Sequence, residues 1–165
     1  MTTLRFRKDD KIEAKVFILE SADQIEQIGL TKKEADYVKK TYDDDKDKTV
    51  VINRYTECYH IFFVDTTKAE SKFMERCRKK GASICKWLNA NKYQDVLIQN
   101  IGEKRCVKMG TAEGMMLANY EFKKYKTDAK SNTLQTIYFL EGTACDDCVE
   151  KLNITVEATV GRAHV

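Results

Sequence analysis

The residues best suited by type to metal or redox chemistry are two histidines, His60 and His164, and one Cys-x-x-Cys, Cys145-Asp-Asp-Cys148. A zinc site built on that cysteine pair needs a second pair of ligands at matching spacing, and no other segment supplies one. A redox pair works best with a low-pKa thiolate. The two aspartates between these thiols push the other way, because negative charge disfavours a thiolate. Both cysteines are therefore read as incidental loop or helix-start residues. His60 lies inside an apolar run and is read as a core or half-buried imidazole. No HExxH, GxSxG or GxxxxGK[ST] occurs. The expectation is a chain with no catalytic, cofactor-binding or metal-ligating residue.

Six cysteines stand at 58, 77, 85, 106, 145 and 148. The N-terminus, MTTLRFRKDD, lacks the apolar stretch of an export signal, and no apolar run approaches the roughly 20 residues of a membrane helix. Free, mostly buried thiols and a cytoplasmic protein with no membrane partner are expected. With 165 residues, 42% hydrophobic and 33% charged, the composition is that of one ordinary globular domain. The net charge of +3 is too small to require an anionic partner.

One segment is strongly basic. Residues 68–92 carry eight positive side chains against Glu70 and Glu75. A basic helix can track phosphates, with Trp87 and Phe73 as interleaved aromatics. However, Phe73 fits the apolar stripe of the same helix, so the charges are read as a solvated outer face and nucleic acid is not expected as a partner.

These residues must be positioned by alternating strands and helices. Residues 11–19 thicken in apolar content like a strand entering a core. Thr31-Lys-Lys-Glu34 is a capping box opening a short amphipathic helix over 31–42. Residues 49–54 and 59–64 read as a hairpin of two strands, after a charged loop at 43–48. A long helix follows over 68–91, with Phe73, Cys77, Ile84, Cys85 and Leu88 on its apolar side and Gly81 marking close packing. Residues 95–99 are dense enough for a strand buried on both faces of a parallel sheet. Thr111 is expected to cap a helix to Tyr125. A strand at 133–140 and a helix over 149–165 complete the order, the latter with Val149, Leu152, Val156 and Val160 in step. The alternation implies an α/β chain with a mixed sheet and helices on both faces.

The segment Ala112-Glu-Gly-Met-Met-Leu-Ala-Asn-Tyr-Glu-Phe-Lys-Lys-Tyr-Lys-Thr127 resembles the AEG-(apolar)₃-x-x-Y-x-F-x-x-Y-K-[ST] stretch near the end of the N-terminal domain of leucyl aminopeptidases of the M17 family. Ala112, Glu113, Gly114, Tyr120, Phe122, Tyr125, Lys126 and Thr127 match it. Residues 156–165 resemble the helix that connects that domain to the catalytic one. The resemblance is carried by residues 110–165; the first 110 share only the pattern of elements. It implies a three-layer α/β/α sandwich of macro-domain-like type, divided here as a domain over 1–148 and a connector helix over 149–165. It further implies a parent metallo-exopeptidase that is a homo-oligomer and uses two divalent metals, zinc or manganese, in a C-terminal domain. No ligand of those metals and no catalytic residue of the family matches a position of this chain. The AEG at 112–114 is not the family's catalytic AEG, because no Asn-Thr-Asp precedes it and no arginine follows. The last helix reaches Arg162-Ala-His-Val165 without a glycine cap, as a truncated domain would.

On this reading the chain positions and assembles a catalytic domain. The expected docking surface is Met116, Leu117 and Tyr120, a second apolar strip beside the stripe of Met115, Ala118, Phe122 and Tyr125. The alternative implied by the fold type is a nucleotide, ADP-ribose or nucleic-acid binding module. Gly102 and Gly110, eight residues apart with Glu103 between them, make poor material for a phosphate loop.

Overall fold

The structure, a computed structural model, describes residues 2–125, 132–144 and 146–163. Its centre is strand β2 (Ala14–Leu19), whose six residues are all buried. Parallel strands flank it on both sides: β4 (Cys58–Phe63) and β5 (Asp95–Asn100). Beyond β5 lie β6 (Thr136–Leu140) and then β1 (Thr3–Arg7), both parallel. Beyond β4 lies β3 (Val50–Asn53), the one antiparallel strand among the described residues. The sheet order is thus β1-β6-β5-β2-β4-β3. The expected hairpin is β3–β4, and the expected doubly buried strand is β5.

Alternation along each strand sends side chains to two separate cores. Val16, Ile18, Phe62, Ile98, Ile137 and Phe139 meet α2 (Glu70–Ala90), α3 (Cys106–Tyr125) and α4 (Asp146–Ala163) on one face. Phe17, Leu19, Ile61 and Phe63 meet α1 (Lys32–Asp44) and a 3-10 segment, Ala22–Ile28, on the other. These are the three layers of the α/β/α sandwich. The Thr31 capping box forms as expected, and Arg54 bridges to its Glu34. That guanidinium holds the Glu34 carboxyl down at about 2.

Three boundaries differ from expectation. Strand β1 is seen only in the structure: its five residues include two arginines, and it pairs on one side only. Its outer edge is closed by a side chain, since Leu4 N donates to Asn153 Oδ1 (3.0 Å) and Asn153 Nδ2 donates to Leu4 O (3.0 Å). Helix α3 starts at Cys106, so Thr111 is not its cap. The Thr111 hydroxyl instead donates to Val107 O at 2.8 Å, inside the helix. Helix α4 starts at Asp146, and Val149, Leu152 and Val156 are buried in the common core, so its first half is integral to the sandwich. Among the described residues no helix is long and apolar enough to cross a membrane.

Candidate functional site

The family-like segment lies on α3, and its first residues form a helix seam. Ala112 is fully buried. A Cβ added at Gly114 would collide with the backbone carbonyl of Arg78 on α2; one at Gly81 would collide with the carbonyl of Thr111. The two helices thus cross at backbone contact, with one glycine contributed from each side. Glu113 reaches over the crossing to Arg78 (Nε to Oε1, 3.4 Å). The Ala-Glu-Gly of this chain is a packing signature. Phe122 and Tyr125 lie where only the backbone of α3 is described, and Lys126 and Thr127 fall outside the described residues.

The expected docking strip divides. Met116 is 3% exposed and packs in the main core, so it offers nothing to a partner, and that part of the expectation is corrected. Leu117 and Tyr120 are only partly buried against the same core. On α4, Ile154 is 56% exposed, a large apolar side chain facing out.

His60 is buried, its Nε2 has no hydrogen-bond partner, and its ring meets Trp87 edge-on at 4.5 Å. Burial holds its pKa down at about 4, so it is a neutral core residue at physiological pH. Burial likewise pushes the Cys58 and Cys77 thiols up to about 11 and Cys85 up to about 12, which leaves them poor nucleophiles. Together with Cys106 these are free. Cys148 is disulfide-bonded, which corrects the expectation of free thiols throughout. Cys145 and His164 lie outside the described residues. Among the described residues no group of three or more His, Cys, Asp and Glu stands where it could hold a metal ion.

Two buried cations were not anticipated: Lys15 of β2, 3.8 Å from Asp10 and from Glu57, and Lys108. Lys108 of α3 is 1% exposed, and its amine donates to the Thr143 carbonyl and lies 5.1 Å over the Phe139 ring. Desolvation, with Arg105 nearby, lowers it to about 8. Lysine at one position of an amphipathic pattern gives no sequence signal of this burial.

The basic helix does not form a continuous stripe. Arg76 pairs with Asp47 at 2.9 Å, Arg78 with Glu75 and Glu113, and Lys80 donates to Asp47 O and to Thr49 Oγ1. Its beginning borders an open space. There, at the carboxyl ends of β2 and β4, lies a cleft of about 570 Å³. Its walls come from Glu20 after β2, Asp65 after β4, Lys46 and Asp47 after α1, and Lys68, Lys72 and Arg76 at the start of α2. Tyr42 and Phe63, with ring centroids 4.1 Å apart, form its apolar side. Sequence reasoning missed this site because its residues come from separate segments that only the parallel pairing of β2 and β4 brings together.

No family model matches the chain, and no curated protein sequence matches it. Among solved structures, the fold matches a variant of tomato leucine aminopeptidase with a TM-score of 0.64 at 8% sequence identity. The match covers 98% of this chain and 36% of that one. At such identity the likeness is one of fold. The chain spans about a third of the length of the solved protein it matches.

Proposed function

We propose that this chain is the non-catalytic N-terminal α/β domain of an M17-type leucyl aminopeptidase, serving to position and assemble the catalytic part. The observation that carries this reading is the fold match: nearly all of this chain superposes on a domain-sized share of an aminopeptidase chain. The resemblance over 112–127 adds to this reading; its residues up to Tyr125 lie on α3. The parent enzyme's two divalent metals, zinc or manganese, would belong to its C-terminal domain. This chain's partners are then that catalytic domain and further copies in a homo-oligomer of the full-length, cytoplasmic enzyme. On this reading Leu117 of α3, partly buried, and Ile154 of α4, exposed, are among the apolar side chains that face them.

The purified chain tests the non-catalytic part directly. With zinc or manganese added it should release no leucine from leucyl amides, and metal analysis after dialysis should find well under one ion per chain. Hydrolysis that survives repurification, or one tightly held ion per chain, would contradict the reading.

A further inference from the structure

The two edges of the sheet end differently. At β1 the outer backbone is closed by the Asn153 side chain. At the far end β3 pairs only with β4, and no described residue bonds its outer backbone. In an antiparallel ladder alternate residues point N–H and C=O away from the paired strand, so β3 holds an unused row of donors and acceptors. Natural edge strands are commonly blunted by a charge, a proline or a bulge. Val50-Val51-Ile52-Asn53 carries no charge and no proline, its register with β4 is unbroken, and Val51 is 36% exposed.

Exposed apolar side chains gather at this edge. Tyr37 of α1, Val51 of β3 and Tyr55 of the β3–β4 turn are three of the four large apolar side chains exposed among the described residues. Arg54, just after β3, donates from Nε to Glu34 Oε2 at 3.0 Å in the first turn of α1. Helix α1 therefore runs antiparallel to β3, with its Glu34 side turned toward the edge strand. Tyr37 and Thr41 follow Glu34 on that side, at spacings of three and four. What covers the edge is set by the charges beside Tyr37. Lys33, Tyr37, Lys40 and Asp44 stand at spacings of four, three and four, one exposed stripe along α1. Lys33, Lys40 and Asp44 make no side-chain hydrogen bond or ion pair with a described residue. Lys33 lies in the first turn and Asp44 in the last, the order that the helix dipole disfavours. Turned end for end, the stripe complements itself: Lys33 meets Asp44, and Lys40 meets the Tyr37 ring, each twice. Each Asp44 then lies by the start of the other helix, where an anion is favoured. A twofold axis between two copies makes this end-for-end arrangement, and the same axis runs β3 antiparallel to its own copy.

We propose that the β3 edge and the neighbouring flank of α1 form the interface of a homodimer. The β3 strands of two copies pair antiparallel and continue one sheet through both chains, and the two α1 stripes pair alongside. Four strand residues alone bury too little for a stable dimer, which needs roughly 1,200 Å² or more, and α1 and Tyr55 enlarge the contact. The inference does not depend on the chain's being an aminopeptidase domain.

The test is sedimentation equilibrium of the 165-residue chain across a concentration series. The mass should rise with concentration from 19.1 kDa toward twice that value. Val51→Lys puts a charge on the edge strand and should weaken the dimer about tenfold or more. Lys33→Asp and Asp44→Lys should each weaken it, because each sets like charges against one another across the axis. The combined Lys33→Asp/Asp44→Lys variant restores opposite charges and should regain the dimer. That recovery distinguishes a direct contact from a loss of folding, and it holds the test open should Val51→Lys unfold. A monomer at every concentration would overturn the proposal, as would single and combined charge variants that associate alike. A dimer indifferent to Val51→Lys but lost in Leu117→Ser would place the contact on α3 and overturn it too.

Discussion

At the scale of single residues, His60 shows how a suggestive side chain is disposed of by burial. Its imidazole is sealed between β4 and Trp87, with Nε2 unpartnered and its pKa lowered to about 4 by desolvation. In the unfolded chain the same ring titrates near its ordinary value of about 6.5. Between those values the unfolded state binds the extra proton, so stability present above about 6.5 is lost as pH falls toward 4. One pKa unit is about 1.4 kcal/mol, so going from pH 7 to pH 5 should cost about 2 kcal/mol through His60 alone. Urea unfolding of the parent and of His60→Leu at the two pH values measures this. The variant should lose less stability than the parent over that interval, and parallel losses would show that His60 is not buried neutral. The half of this outcome legible in sequence was location: an apolar strand around His60 signals burial. Its missing partner was not legible, because that depends on which side chains of α2 arrive over the strand.

The elements tell a similar story about the α2–α3 seam. Gly81 announced close packing by its cost in mid-helix, and the structure places it against the Thr111 carbonyl. Gly114 was legible as one letter of a family-like motif, and its physical role emerged only from the crossing, where Arg78 backbone fills the space of a side chain. Gly114→Ala should therefore destabilise the chain by about 2 kcal/mol or more despite alanine's better helix propensity, because backbone has to move. Glu113→Ala, which loses a partly exposed ion pair at the same seam, should cost under about 1 kcal/mol. Thermal or urea unfolding gives both, and the reverse order would mean the seam is held by the charge instead. Amphipathic periodicity drew α1, α2 and β5 well. It failed at β1, a short edge strand held by one neighbour and the Asn153 clasp, and at the start of α3, where Thr111 looked like a cap but sits inside the helix. The same limit applies to the docking strip: residue spacing grouped Met116 with Leu117 and Tyr120, whereas the fold buries Met116 and leaves the other two partly covered. Replacing both Leu117 and Tyr120 by serine should weaken any self-association beyond the β3-edge dimer, as seen by sedimentation, with little loss of folding stability. A variant that unfolds would place both side chains in the core.

For the whole molecule, the sandwich brings together two surfaces with different destinies. The carboxyl ends of β2 and β4 open a charged cleft, while α4 presents the exposed apolar side chain of Ile154. The alternating order of strands and helices made the three-layer class legible, but neither surface, since each is assembled from segments far apart in the chain. The central claim is that this fold works as one part of an aminopeptidase. An antibody raised against the purified chain, applied to extract of the source cells, tests it most directly. The account predicts an immunoblot band well above the 19.1 kDa of this chain, and depletion of leucyl-amide hydrolysis when the antibody removes that band. A single band at 19.1 kDa, with hydrolytic activity left entirely in the supernatant, would contradict it.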